Sequence, residues 1–133
     1  PGTLFSTCNA AKDWGSHLRP GAQALLDCYA DVTRPAGYQR GPRHLRGAAT
    51  DLQAEALIPG PVPVTAVTSV VLSDAETARE QYAVLARRGH EPERFQWFVA
   101  PVFFDRGRLS SRVRAGGTIE ETLWSPSVSR GGG

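Results

Sequence analysis

From Leu52 to Ile58 apolar and polar positions alternate: Leu52, Ala54, Ala56 and Ile58 fall on one parity, Gln53 and Glu55 on the other, and only Leu57 breaks the pattern. A period of two is that of a strand, so Gln53 and Glu55 are predicted to leave the same face. The Pro59-Gly60-Pro61-Val62-Pro63 run then stops the ladder, because proline has no N–H to donate. Upstream, residues 3–6 read as a short strand, and residues 9–15 as a helical turn or short helix closed by Gly15. Ala22, Leu25, Leu26 and Tyr29 recur at i, i+3, i+4 and i+7 and predict a helix over 21–31. Pro35 and Gly37 open a loop that lasts to about Thr50, a length that marks a functional or mobile segment.

Beyond the Pro/Gly run, valine and threonine fill residues 64–72 and predict a mostly apolar, central strand. Ser73 with Glu76 three residues on reads as a capping box. The helix it starts runs to about Arg88, with Ala75, Ala78, Tyr82 and Leu85 on one face, Arg87 and Arg88 at its negative end and Gly89 as its stop. Residues 96–104 form an aromatic, β-branched strand that Pro101 assigns to an edge or a bulge, although apolar residues at both parities leave a central strand open as well. A turn at 105–107, a hairpin strand over 109–114 and a weaker strand over 118–124 complete the pattern. The predicted fold is α+β: a mixed, mainly antiparallel sheet with two or three helices, one domain over residues 1–126, and a flexible Gly-rich tail over 127–133.

Composition narrows the function classes. A chain of 133 residues is one domain's length, and 41% hydrophobic with 21% charged residues is globular rather than disordered. No run of about 18 apolar residues is present, which excludes a helical membrane span, and without a secretory signal a cytoplasmic location is expected. The chain begins at Pro1 and contains no methionine, so it is expected to be a processed product or an excerpt of something longer. Cys8 and Cys28 match no C-x-x-C pattern and the three histidines show no ligand spacing, so no metal site is expected. The two thiols read as buried and free, with a disulfide as the alternative. Ser6, Asp13 and His17 make no triad, since Asp13 and His17 lie around one short helix and no nucleophile elbow surrounds Ser6.

Charge adds one feature. Lys12 is the only lysine against fourteen arginines, and between Asp31 and Asp51 there is no acid while Arg34, Arg40, Arg43, His44 and Arg46 fall in the interval. Guanidinium forks suit phosphates, so this stretch is a candidate for nucleic acid or a dinucleotide. A solvated basic loop is the alternative, and a net charge of +2 does not by itself argue for DNA.

Four segments carry a resemblance to a known family. Phe5-Ser6-Thr7-Cys8-Asn9-Ala10-Ala11 resembles F-S-D-G-N-A-A, Gln53-Ala54-Glu55-Ala56-Leu57-Ile58 resembles the strand Q-A-E-F-L-V, and the turn at Pro61-Val62-Pro63 running on to Val70-Val71 is similar to the segment that follows that strand. Gln96 through Phe104 is similar to a terminal V-x-V-x-P-x-W-Y-F strand. Over about residues 4–104 the chain thus resembles the C-terminal half of the DarT-type ADP-ribosyltransferases of bacterial toxin–antitoxin systems, and the fold would be half of that family's.

The resemblance implies NAD as the ADP-ribose donor, a base of single-stranded DNA as acceptor, and Glu55 as the catalytic acid/base residue. Beside Glu55, Asn9, Gln53 and the loop arginines Arg40, Arg43 and Arg46 are the candidates for binding substrate or NAD, the arginines then facing the NAD pyrophosphate or DNA phosphate. Thr7 and Cys8 stand where the family has Asp-Gly, and its NAD-gripping half precedes everything seen here. The expectation is therefore an activity completed by a missing half or a second subunit, with an antitoxin-like protein as a further partner. The competing reading is a non-catalytic binding or scaffold module for nucleic acid or protein that has kept the scaffold.

Overall fold

A computed structural model describes residues 2–126; the tail expected over 127–133 lies outside the described residues. The chain forms two compact units. The first runs from the start of the described residues to Val62 and includes Ser110–Thr118; the second is Pro63–Leu109 with the described residues from Ile119 onwards.

In the first unit β1 (Leu4–Ser6) is the middle strand of a three-stranded antiparallel sheet, with β2 (Arg19–Pro20) on one side and β3 (Glu55–Leu57) on the other. The helix expected over 21–31 is shorter, α1 spanning Gly21–Asp27. Its buried face is also different: Ala24 and Cys28, one turn apart, are buried, whereas Leu26 stays 61% exposed and Leu25 and Tyr29 are exposed as well. Small side chains at i and i+4 let the helix backbone lie close to β1, which turns the larger apolar positions outward. The segment expected to be helical before Gly15 is a tight turn over Lys12–Gly15 in which Asp13, Trp14 and Gly15 all hold positive φ, so no right-handed helix continues through it. The core of this unit is small and partly polar, with Ser6, Thr33, His44, Thr50 and Asp51 buried beside Cys8, Ala24, Cys28 and Val113.

In the second unit β4 (Ser69–Leu72) pairs parallel with β5 (Gln96–Val99), and β5 pairs antiparallel with β6 (Thr122–Trp124). α2 (Ala75–Arg87) is the crossover between the parallel pair and packs on both strands. The expected central strand over 64–72 is therefore the shorter β4, at the side of the described sheet, because Val64–Ala66 forms a 3-10 turn whose N–H groups bond back along the chain. β5 is the central strand. It stops at Val99, and Pro101 opens a 3-10 turn over Pro101–Phe104, so the missing N–H falls outside the ladder and no bulge is needed.

Two further expectations are corrected here. The N-cap of α2 is Asp74, not Ser73: the Asp74 carboxylate accepts the Thr77 N–H at 2.7 Å, and Ser73 donates its hydroxyl to that carboxylate. Residues 109–114 are helical rather than a hairpin strand. α3 (Arg106–Ala115) is started by Asp105, whose Oδ1 accepts the Arg108 N–H at 3.0 Å. It is closed by Gly116 at φ +67, with the Gly117 N–H bonded back to Arg112 O at 2.9 Å. Leu109 and Val113, one turn apart, satisfy a helical period as well as a strand-like one.

Half-buried Tyr82 and Trp124 pack with Trp97 over the core of the second unit, with ring centroids 5.3, 5.8 and 5.9 Å apart, beside buried Ala78, Ala100 and Val102. Trp97 is buried and its indole N–H donates to Pro92 O at 2.8 Å. Three helices, an antiparallel sheet in the first unit and a mixed sheet in the second make the chain α+β as expected. Among the described residues no helix is long and apolar enough to cross a membrane.

Candidate functional site

β3 begins at Glu55, opposite Ser6 of β1. The strand is launched by a turn at Asp51: its buried carboxylate accepts the Gln53 N–H at 2.9 Å and its carbonyl accepts the Ala54 N–H at 3.0 Å. Gln53 therefore sits in that turn, exposed, and not on a strand face shared with Glu55. The pairing with β1 sets Glu55 beside the chain leaving that strand, and its Oε2 accepts the Ala10 N–H at 2.5 Å. The next N–H, that of Ala11, is taken by Asn9 Oδ1 at 2.9 Å. Two polar side chains thus hold two successive backbone donors of one turn, which orients the Glu55 carboxylate without burying it.

Around this arrangement lies an open depression of about 730 Å³ lined by Asn9, Ala10, Ala11, Glu55, Ala56 and Leu57. A smaller one, of about 110 Å³, adjoins Glu55 and has Phe5, Tyr29 and Cys28 in its wall. Among the described residues Glu55 is the one charged side chain lining either of them. Burial pushes the Cys28 thiol up, and the neighbouring Asp27 carboxylate adds to the effect, so Cys28 is held as an inert thiol beside the site. Cys8 and Cys28 are both free and buried.

The loop arginines separate into two kinds. Arg40 is half-buried and both its Nη groups are engaged: Nη1 donates to Ala48 O at 2.8 Å and Thr50 Oγ1 at 3.3 Å, and Nη2 to Leu45 O at 2.9 Å and Arg46 O at 3.1 Å. Its guanidinium lies 5.9 Å from the Tyr29 ring centroid, so it reaches the smaller depression only through that ring. A guanidinium spent on four acceptors of its own loop organises that loop. Arg43 and Arg46 are exposed and line neither depression. The structure thus brings Glu55 and Asn9 together and leaves Gln53, Arg43 and Arg46 outside the lining of the depression, with the Arg40 fork bonded within its own loop.

Sequence reasoning missed Asp51, Thr50 and His44. Thr50 accepts from Arg40, donates its hydroxyl to Ala30 O at 2.6 Å and its N–H to Cys28 O at 2.9 Å, which ties the loop end to α1. His44 is buried, with Nε2 3.0 Å from Ala49 O. The Asp51-x-Gln53 spacing is an Asx-turn signal that was legible; the burial of a loop threonine and histidine carried none. Asp13 and His17 form an exposed pair at 2.8 Å, while Ser6 is buried.

Among known proteins, the family model described as ssDNA thymidine ADP-ribosyltransferase, DarT, matches residues 1–103. No curated protein and no solved structure matches the chain.

Proposed function

This chain belongs to the DarT family of ssDNA thymidine ADP-ribosyltransferases, and from that premise we propose that Glu55 is the carboxylate through which it transfers ADP-ribose from NAD to thymidine in single-stranded DNA. The observation that carries this reading is the isolation of Glu55: among the described residues it is the one charged side chain lining an open depression, it stands on a strand, and a backbone N–H orients it. The family supplies the substrate class, and the geometry supports the choice of residue.

NAD, when bound, supplies the electrophilic ribose carbon and nicotinamide as leaving group. The residues present fit half of that need. An exposed carboxylate accepts a hydrogen bond from a ribose hydroxyl, and its negative charge favours the positive charge that develops at the ribose as the bond to nicotinamide breaks. Glu55 then accepts the proton that the thymine N–H gives up as the base bonds to the ribose carbon. Ala10 N–H holds one carboxylate oxygen and leaves the other for this work. Among the described residues no cationic side chain lines the depression.

Glu55→Gln is the direct test, because the amide oxygen still accepts the Ala10 N–H while the side chain can no longer take a proton. In the complete active assembly, transfer from NAD to a thymidine-containing oligonucleotide is expected to fall by roughly two orders of magnitude or more, with the circular dichroism of the chain unchanged. Transfer at the parent rate would end the assignment.

A further inference from the structure

The family match ends at residue 103, yet Ser110–Thr118 belongs with the first unit. This segment meets the arginine loop at three points. Val113 O accepts the Leu45 N–H at 3.0 Å, and the Val113 side chain is buried. The Arg114 guanidinium lies over the Tyr38 ring, 5.0 Å from its centroid. Gly116, at φ +67, approaches so closely that a Cβ there would stand 2.3 Å from Arg43 O. Positive φ and that approach together exclude any other residue without a local shift.

These meeting points fall at 38, 43 and 45, while Arg40 holds the carbonyls of 45, 46 and 48 from within the loop. A loop tied from inside and outside is rigid where an unbraced loop of this length is mobile. What it presents is Arg43 and Arg46, both exposed, with no side-chain hydrogen bond or ion pair to the described residues. No acid occurs between Asp31 and Asp51 to neutralise them.

We infer that Ser110–Thr118 is a clasp for the arginine loop, and that Arg114 and Gly116 act as positioning residues which fix Arg43 and Arg46 for the phosphates of a single-stranded oligonucleotide. The inference rests on the proposed function for its ligand. Arg43 and Arg46 meet the phosphates, and the clasp acts through them.

The test uses two variants that remove no charge, Gly116→Ala and Tyr38→Leu, with the double variant Arg43→Ser/Arg46→Ser as reference. Amide hydrogen exchange over residues 38–46 is expected to quicken in both clasp variants while β1 and β3 keep their protection. Affinity for a fluorescent oligothymidylate is expected to fall several-fold, and the salt dependence to flatten toward that of the double arginine variant, by about 0.7 in log–log slope for each phosphate no longer neutralised. In the double arginine background the clasp substitutions should change affinity no further, a non-additivity that general destabilisation does not produce. Unchanged exchange in both variants overturns the clasp, and quickened exchange with unchanged affinity overturns its positioning role. If Gly116→Ala does not fold, Tyr38→Leu alone decides. A parent chain that binds no oligothymidylate also overturns the positioning role, whereas the Glu55 assignment stands or falls separately on the transfer assay.

Discussion

Arg40 shows how residue type and residue role part company. By sequence it is one of several basic side chains in an acid-free stretch, and a phosphate partner is the natural reading. In the fold its fork is closed on the carbonyls of Leu45, Arg46 and Ala48 and on Thr50. Arg40→Ala should cost about 3 kcal/mol in urea unfolding, since several acceptors lose their donor at about 1 kcal/mol each. Arg40→Lys should restore less than half of this, because an ammonium cannot serve a planar set of acceptors. Oligonucleotide affinity should respond more to Arg43 and Arg46. The thiols give a second outcome at this scale. Cys8 and Cys28 should both resist a thiol reagent in the native chain and both react once it is unfolded. The raised Cys28 pKa also has a sign: as pH climbs past the ordinary thiol value the unfolded chain ionises first, so stability falls on the alkaline side.

Among the elements, α2 was the most legible, because its start signal, apolar face and glycine stop agree. Ala78, Tyr82 and Leu85 turn inward as expected, Ala75 in the first turn stays exposed, and Gly89 ends the helix at φ +77. The cap moved by one residue, from Ser73 to Asp74, and this is testable. The hydrogen bond from the Ser73 hydroxyl, followed by those from the Thr77 N–H and hydroxyl, lowers the Asp74 pKa. A depressed carboxylate contributes above its unfolded value and loses that contribution as pH falls through the folded one. Asp74→Ala should therefore lower the unfolding midpoint at neutral pH and flatten its dependence on the acid side, and Ser73→Ala should do less of both. α3 was the least legible: Leu109 and Val113 fit either period, and only the Asp105 cap and the Gly116 stop choose the helix. β3 was legible in existence but not in extent. The alternation begins at Leu52, yet the Asp51 turn occupies the N–H groups of Gln53 and Ala54, so pairing starts at Glu55.

For the whole molecule, the two units carry different cores. The second is organised by large aromatic rings and the first by small and polar side chains. Trp97→Ala should cost about 3–5 kcal/mol, the range for removing a buried aromatic. Trp97→Phe should cost less, its loss dominated by the Pro92 carbonyl left without the indole donor.

What the sequence determined by itself was what depends on near neighbours: the α+β class, the strand that bears Glu55, the α2 and β5 segments, and the family, through motifs that lie within residues 4–104. Near-neighbour patterns survive because the periods of strands and helices and the chemistry of turns act over a few residues. Tertiary structure decided which face of α1 is buried, that the Arg40 fork closes on carbonyls of its own loop, and that residues 110–118 return to the arginine loop. Each of these depends on partners far along the chain, Ala24 and Cys28 against β1 or Leu45 against Val113, and no local period records what a side chain will meet across such a distance.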